Sequence, residues 1–140
     1  MIKEKDVIKV YMPLPKMNSD LARTQHYYIC NQNINSSKIL FKCQTQKPNM
    51  ITRYGGRKNF NKKFCIIRPS SFVPFIRATV VDKEQVLELL NTTIPLDYLS
   101  PRKPHTIPDS VYNTLVREIK MENFFKINKV DFIKLNPLCE

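Results

Sequence analysis

The chain has 140 residues, 42% of them apolar and 25% charged, which is enough for one domain with its own core. Its 23 Lys and Arg outweigh 12 Asp and Glu to give a formal net charge of +11. The only two glycines, Gly55 and Gly56, leave no glycine-rich phosphate loop, and no apolar run approaches the ~20 residues that span a bilayer.

Residues 1–10 alternate charge and apolar character without a signal-peptide core, so a cytoplasmic protein with no membrane partner is expected. Residues 6–12 read as a strand stopped by Pro13 and Pro15, and residues 16–25 as a polar loop. The run Tyr27-Tyr-Ile-Cys30 is too short for a helix and reads as a buried strand. A turn over 31–37 leads to a strand over 38–45. Residues 49–63 hold both glycines among many cations and read as a loop, with a short strand as the alternative. Residues 64–68 form the next strand, and 72–81 a further extended stretch interrupted at Pro74.

Asp82, with Gln85 three residues on, resembles a capping box and predicts a short helix through Val86, Leu89 and Leu90. A proline-rich connection over 95–108 follows. From Pro108-Asp109 a second helix carries Val111, Leu115 and Ile119 on one face. Alternation in Lys129-Val-Asp-Phe-Ile-Lys-Leu135 predicts a last strand within an added segment, 126–140. The fold expected is mainly β with helices (α+β), a small antiparallel barrel with a short helix and a C-terminal helix, in one domain over 1–140. Its core would hold Val7, Ile8, Val10, Tyr28, Cys30, Ile39, Phe41, Ile66, Val80, Leu89, Leu115 and Ile119. The four cysteines lack CxxC spacing, and three fall in predicted strands, so buried thiols are expected rather than disulfides or a zinc site.

Charge is distributed unevenly. Residues 21–81 contain eleven Lys and Arg and no Asp or Glu, while the rest of the chain is neutral. Such a segment repels itself unless a polyanion lies against it, and nucleic acid is the first partner to consider.

Several short stretches share the order of a known family. Lys5-Asp6-Val7-Ile8-Lys9-Val10, His26-Tyr-Tyr-Ile-Cys-Asn31, Leu40-Phe-Lys-Cys-Gln-Thr45, Ile66-Ile67-Arg68-Pro-Ser70 and Thr79-Val-Val-Asp-Lys-Glu-Gln-Val86 follow one another in that order. Together they resemble the conserved segments of the MazF/PemK-type toxins, a family with an SH3-like small barrel. The resemblance covers roughly residues 5–120 and departs from the family at Lys5, at Gln25-His26 in place of Arg-Pro, and at Ser70.

It implies a homodimeric, sequence-selective endoribonuclease that cuts single-stranded RNA without metal or other cofactor, leaving a 2′,3′-cyclic phosphate. It also implies a cognate antitoxin protein with an acidic tail.

In-line attack needs a base at the 2′-hydroxyl, a proton for the leaving oxygen and cations at phosphorus. The candidate catalytic residues are Arg23, His26, Thr45 and Arg68, with Arg23 and Gln25 as alternatives for the family's first arginine. His26 has the side chain that titrates near neutrality, though a histidine that opens an apolar strand is also an ordinary half-buried residue. The candidate RNA-binding residues are Lys42, Lys47, Arg53, Tyr54, Arg57, Lys58, Phe60, Lys62 and Lys63, cations for phosphates interleaved with rings for bases. Two other readings stand beside the nuclease: a catalytically inactive RNA- or protein-binding module of the same fold, and a basic adaptor for an acidic protein.

Overall fold

The computed structural model describes residues 1–34, 37–122 and 124–140. The strands are β1 (Val7–Val10), β2 (His26–Ile34), β3 (Ser37–Thr45), β4 (Phe64–Ile67), β5 (Thr79–Leu89) and β6 (Phe124–Ile127). The helices are α1 (Asp20–Arg23), α2 (Met50–Arg53), α3 (Arg57–Lys63), α4 (Asp109–Glu118) and α5 (Lys129–Leu135), with a 3-10 turn at Leu96–Tyr98.

The strands form one sheet in the order β1-β2-β3-β5-β4, antiparallel throughout, with β6 added parallel to β5. The two ends of β5 have different outer neighbours. Thr79–Asp82 faces β4, and Val86–Leu89 faces β6. β1 and β4 lie at opposite edges, so the sheet is open and the expected barrel does not close. The α+β class stands.

Alternate residues feed two cores. Val7, Ile29, Phe41, Cys43, Val81 and Val86 point to one side, where Tyr112, Leu115 and Ile119 of the α4 region cover them. Ile8, Tyr28, Leu40, Leu87 and Leu89 point to the other, beneath Ile127 and Phe132. A strand buried on both faces has no polar face to show. That is why Tyr27–Cys30 and Ile39–Phe41 read as unbroken apolar runs. All the expected core residues are buried except Ile66, which is 38% exposed on β4, and all four cysteines are buried, with no disulfide among the described residues.

Four elements differ from expectation. The basic stretch 49–63 is no loop: α2 and α3 seat Met50 and Phe60 against Phe64 and Val80, and Gly55 and Gly56 turn between them at φ of 85° and 103°. Residues 82–90 are not helical. Asp82 Oδ1 does accept the Glu84 and Gln85 amides at 2.8 and 2.9 Å, as a cap would, but it closes a bulge inside β5. There Val81 opposes Cys43 and Val86 opposes Phe41, so residues 82–85 bow out of the pairing with β3, while Asp82 stays paired with Phe64 of β4. Residues 129–135 form helix α5, and the strand before it is β6. Of 72–81, only Thr79–Val81 is strand.

Smaller differences also occur. α1 makes one helical turn within the polar loop, and the β2–β3 pairing extends to Ile34 and Ser37, with residues 35 and 36 of the expected turn outside the described residues.

The proline-rich connection is pinned to β1. Thr106 donates to buried Asp6 at 2.8 Å, and isolated bridges join Asp6 to Thr106 and Ile8 to Leu99. At the C-terminus, fully buried Asn136 pairs with the Tyr11 backbone, accepting from its amide at 3.1 Å and donating to its carbonyl at 2.9 Å. Asn136→Ala strands those groups and is expected to lower stability by about 2–3 kcal/mol in urea unfolding. Among the described residues, no helix is long and apolar enough to cross a membrane.

Candidate nucleic-acid interface

A cleft of about 770 Å³ opens where the segment 14–24 lies over the ends of β2 and β3. The segment is tied down by Met12 N donating to Leu21 O at 2.7 Å and by the Ser19 hydroxyl donating to Leu14 O at 2.6 Å. From the sheet side the cleft receives His26, Lys42, Gln44, Lys47 and Gln85, and from α1 it receives Asp20. Gln85 reaches it because the β5 bulge turns that residue outward. Its Oε1 accepts from Lys42 Nζ at 3.1 Å, fixing the ammonium beside the imidazole wall.

His26 is half-buried. Burial first, and then the charge of Lys42, lower its pKa below the usual 6.5, against a smaller opposing pull from Asp20. The ring is therefore mostly neutral at pH 7, able to accept a proton in a cleft that also holds the ammonium groups of Lys42 and Lys47. That combination suits a base acting next to a phosphate.

The other expected catalytic residues do not line this cleft. Thr45 lies in a second one, about 440 Å³, with Tyr27, Phe75, Arg77 and Arg102. Strand alternation puts Tyr27 on the opposite face of the sheet from His26, and Gln44 is common to both clefts. Arg68 lines a third cleft, about 510 Å³, between β4 and α4 beside Ile66, Phe72 and Val111. Arg23 is exposed on α1.

The expected RNA contacts divide in the same way. Lys42 and Lys47 line the His26 cleft. Arg53, Arg57, Lys58 and Lys62 are exposed on α2 and α3. Lys63 is paired with Glu84 at 3.3 Å and lies 5.9 Å from the Tyr54 ring, which is itself half-buried edge-on to Phe64. Phe60 is fully buried, so its ring has no face to offer a base, and its role is core.

Sequence reasoning missed Gln44, Gln85, Arg77 and Arg102. Arg77 was visible as a charge in the acid-free segment. Arg102 joins Thr45 through the tertiary pinning of the connection to β1, for which no local signal exists. Among the described residues, no three His, Cys, Asp or Glu side chains are grouped to hold a metal ion.

These features define a basic α+β protein whose open sheet carries a histidine–lysine cleft at one end. Neither the protein-family models nor the curated proteins give a match to the chain.

Proposed function

We propose that the protein binds single-stranded RNA and cuts it without metal, as a MazF/PemK-like endoribonuclease. The observation that carries this is the neutral, half-buried His26 facing Lys42 and Lys47 in a cleft built on the acid-free segment. In the reaction, His26 takes the proton of a 2′-hydroxyl, whose oxygen attacks the adjacent phosphorus. Lys42 and Lys47 offset the charge of the phosphorane. The bond from phosphorus to the 5′-oxygen breaks, and an ammonium returns a proton to that oxygen, leaving a 2′,3′-cyclic phosphate and a 5′-hydroxyl. Thr45, Arg77 and Arg102, across Gln44, offer a hydroxyl and two guanidinium forks to a neighbouring phosphate. Within this reading a homodimer acts in the cytoplasm, and a cognate antitoxin with an acidic tail neutralises the basic face.

A second reading, a module of this fold that binds RNA without cutting it, is favoured by the distribution of Arg23, Thr45 and Arg68 away from His26. Incubating a long single-stranded RNA with purified protein in EDTA separates the two. Discrete cuts with 5′-hydroxyl ends support the nuclease, and intact but gel-retarded RNA supports the module. Neither cutting nor binding at low salt rejects both. Arg68→Ala is expected to leave the cutting rate within about twofold, because its cleft is separate from that of His26.

A further inference from the structure

The bulge in β5 does more than turn Gln85 into the His26 cleft. Gln85 also lines a smaller cleft, about 210 Å³, with Tyr54, Lys63 and Phe125. Glu84, the next residue of the bulge, is shared between that cleft and another of about 600 Å³. The last one is ringed by Lys58 and Lys62 from successive turns of α3, Lys83 from the bulge, and Lys120 beyond α4. Three concavities therefore follow one another across the bulge, each joined to the next by one of its side chains.

Their chemistry also has an order. The first holds the imidazole with Lys42 and Lys47, and the last holds four ammoniums. The middle one holds the Tyr54, Phe64 and Phe125 rings, with the Asp82 carboxylate taken up by the Glu84 and Gln85 amides and that of Glu84 by Lys63. Phe125 is 44% exposed on β6, a large ring in solvent with no core role. Glu118 in the last cleft pairs with Lys83 at 3.4 Å, and Glu84 pairs with Lys63. Among the described residues, no carboxylate pairs with Lys58, Lys62 or Lys120. Like charges gathered in a concave site repel one another, and an anion seated among them relieves that cost.

We propose that these clefts form one track for single-stranded RNA, leading from His26 past the Tyr54 and Phe125 rings to a distal phosphate site made by Lys58, Lys62, Lys83 and Lys120. The proposal rests on the RNA reading above and extends it by about two nucleotides' worth of contact beyond the cleft where cutting occurs. Aromatic rings between the cationic clefts favour a nucleic acid over an acidic peptide, since every base has a face to stack while a run of carboxylates has none. Lys83 and Lys120 lie outside the acid-free segment, so the track recruits charge that the sequence pattern did not single out.

The test compares binding of a ~20-nucleotide oligouridylate and of a trinucleotide to the parent chain and to a Lys58→Ala/Lys62→Ala/Lys120→Ala variant. The three lysines are exposed and carry no ion pair among the described residues, so the variant keeps its fold; Lys83 stays because it donates to Asn61 O and pairs with Glu118. The expected result is a loss of roughly 10- to 100-fold for the long RNA at 0.1 M salt, with a salt slope shallower by about 2, and no change for the trinucleotide. Equal losses for both RNAs, or none for either, overturn the track while leaving RNA binding intact. Failure of the parent chain to bind either RNA overturns the RNA reading itself, and tighter binding of polyglutamate than of the long RNA assigns the distal lysines to an acidic protein instead.

Discussion

A His26→Ala variant is expected to cut single-stranded RNA about 10²–10⁴-fold more slowly than the parent chain, with little change in affinity for the RNA. The cations that attract the strand, Lys42 and Lys47, stay in place, and only the proton acceptor is lost. The pH profile carries the stronger test. Cutting needs the neutral ring, so the rate rises with pH until the folded pKa is passed and then levels. Because burial and Lys42 hold that pKa below 6.5, the profile should reach half its plateau below pH 6.5. A single-turnover rate still climbing steeply above pH 7 would place the base elsewhere. The same shift links folding to acid. Well above pH 6.5 the ring is neutral in both folded and unfolded chains; as pH falls through 6.5 the unfolded chain takes the proton first, and stability declines until the folded pKa is passed.

A large stability effect is expected at Phe132. Its ring is fully buried in the core beneath α5, and Phe132→Ala should cost about 3–5 kcal/mol, read from the urea midpoint at constant slope. Val130→Ala is the informative companion. On a strand these two residues share a face and would be costly together. On helix α5, Val130 is 62% exposed, and its loss should lie within about 0.5 kcal/mol of neutral. Comparable losses at both positions would reject the helix.

That contrast shows how far the sequence could be read. Phe132, Ile133 and Asn136 turn to the same side, a helical spacing, but one of the three is an amide that pairs with backbone and not an apolar residue. Hydropathy therefore missed the period and caught the alternation of Val130 and Phe132 in its place. The helix start also went unread: the Asn128 side chain accepts the Asp131 amide at 3.0 Å and caps α5.

At Asp82 the local chemistry was legible and the element was not. A carboxylate that accepts the amides two and three residues on can begin a helix or close a bulge, and only pairing with β3 and β4 decides which. The strands of the central sheet were legible because burial on both faces leaves long apolar runs. For the candidate site, charge located the segment and His26 was visible as a titratable group. The separation of Thr45 and Arg68 from it depends on strand alternation and on what covers each face, which no local window contains.

The divided outer edge of β5 bears on how the chain is made. As the polypeptide emerges, β1, β2 and β3 pair with near neighbours, and β5 can dock on β3 and β4 as soon as it appears. Residues 86–89 then have a partner on one side only, until Phe124–Ile127 arrives from well downstream. For that interval Val86, Leu87 and Leu89 present an open, apolar strand to any other chain on the same message. The exposed edge is thus closed only when the last strand arrives, more than thirty residues after the apolar stretch it covers.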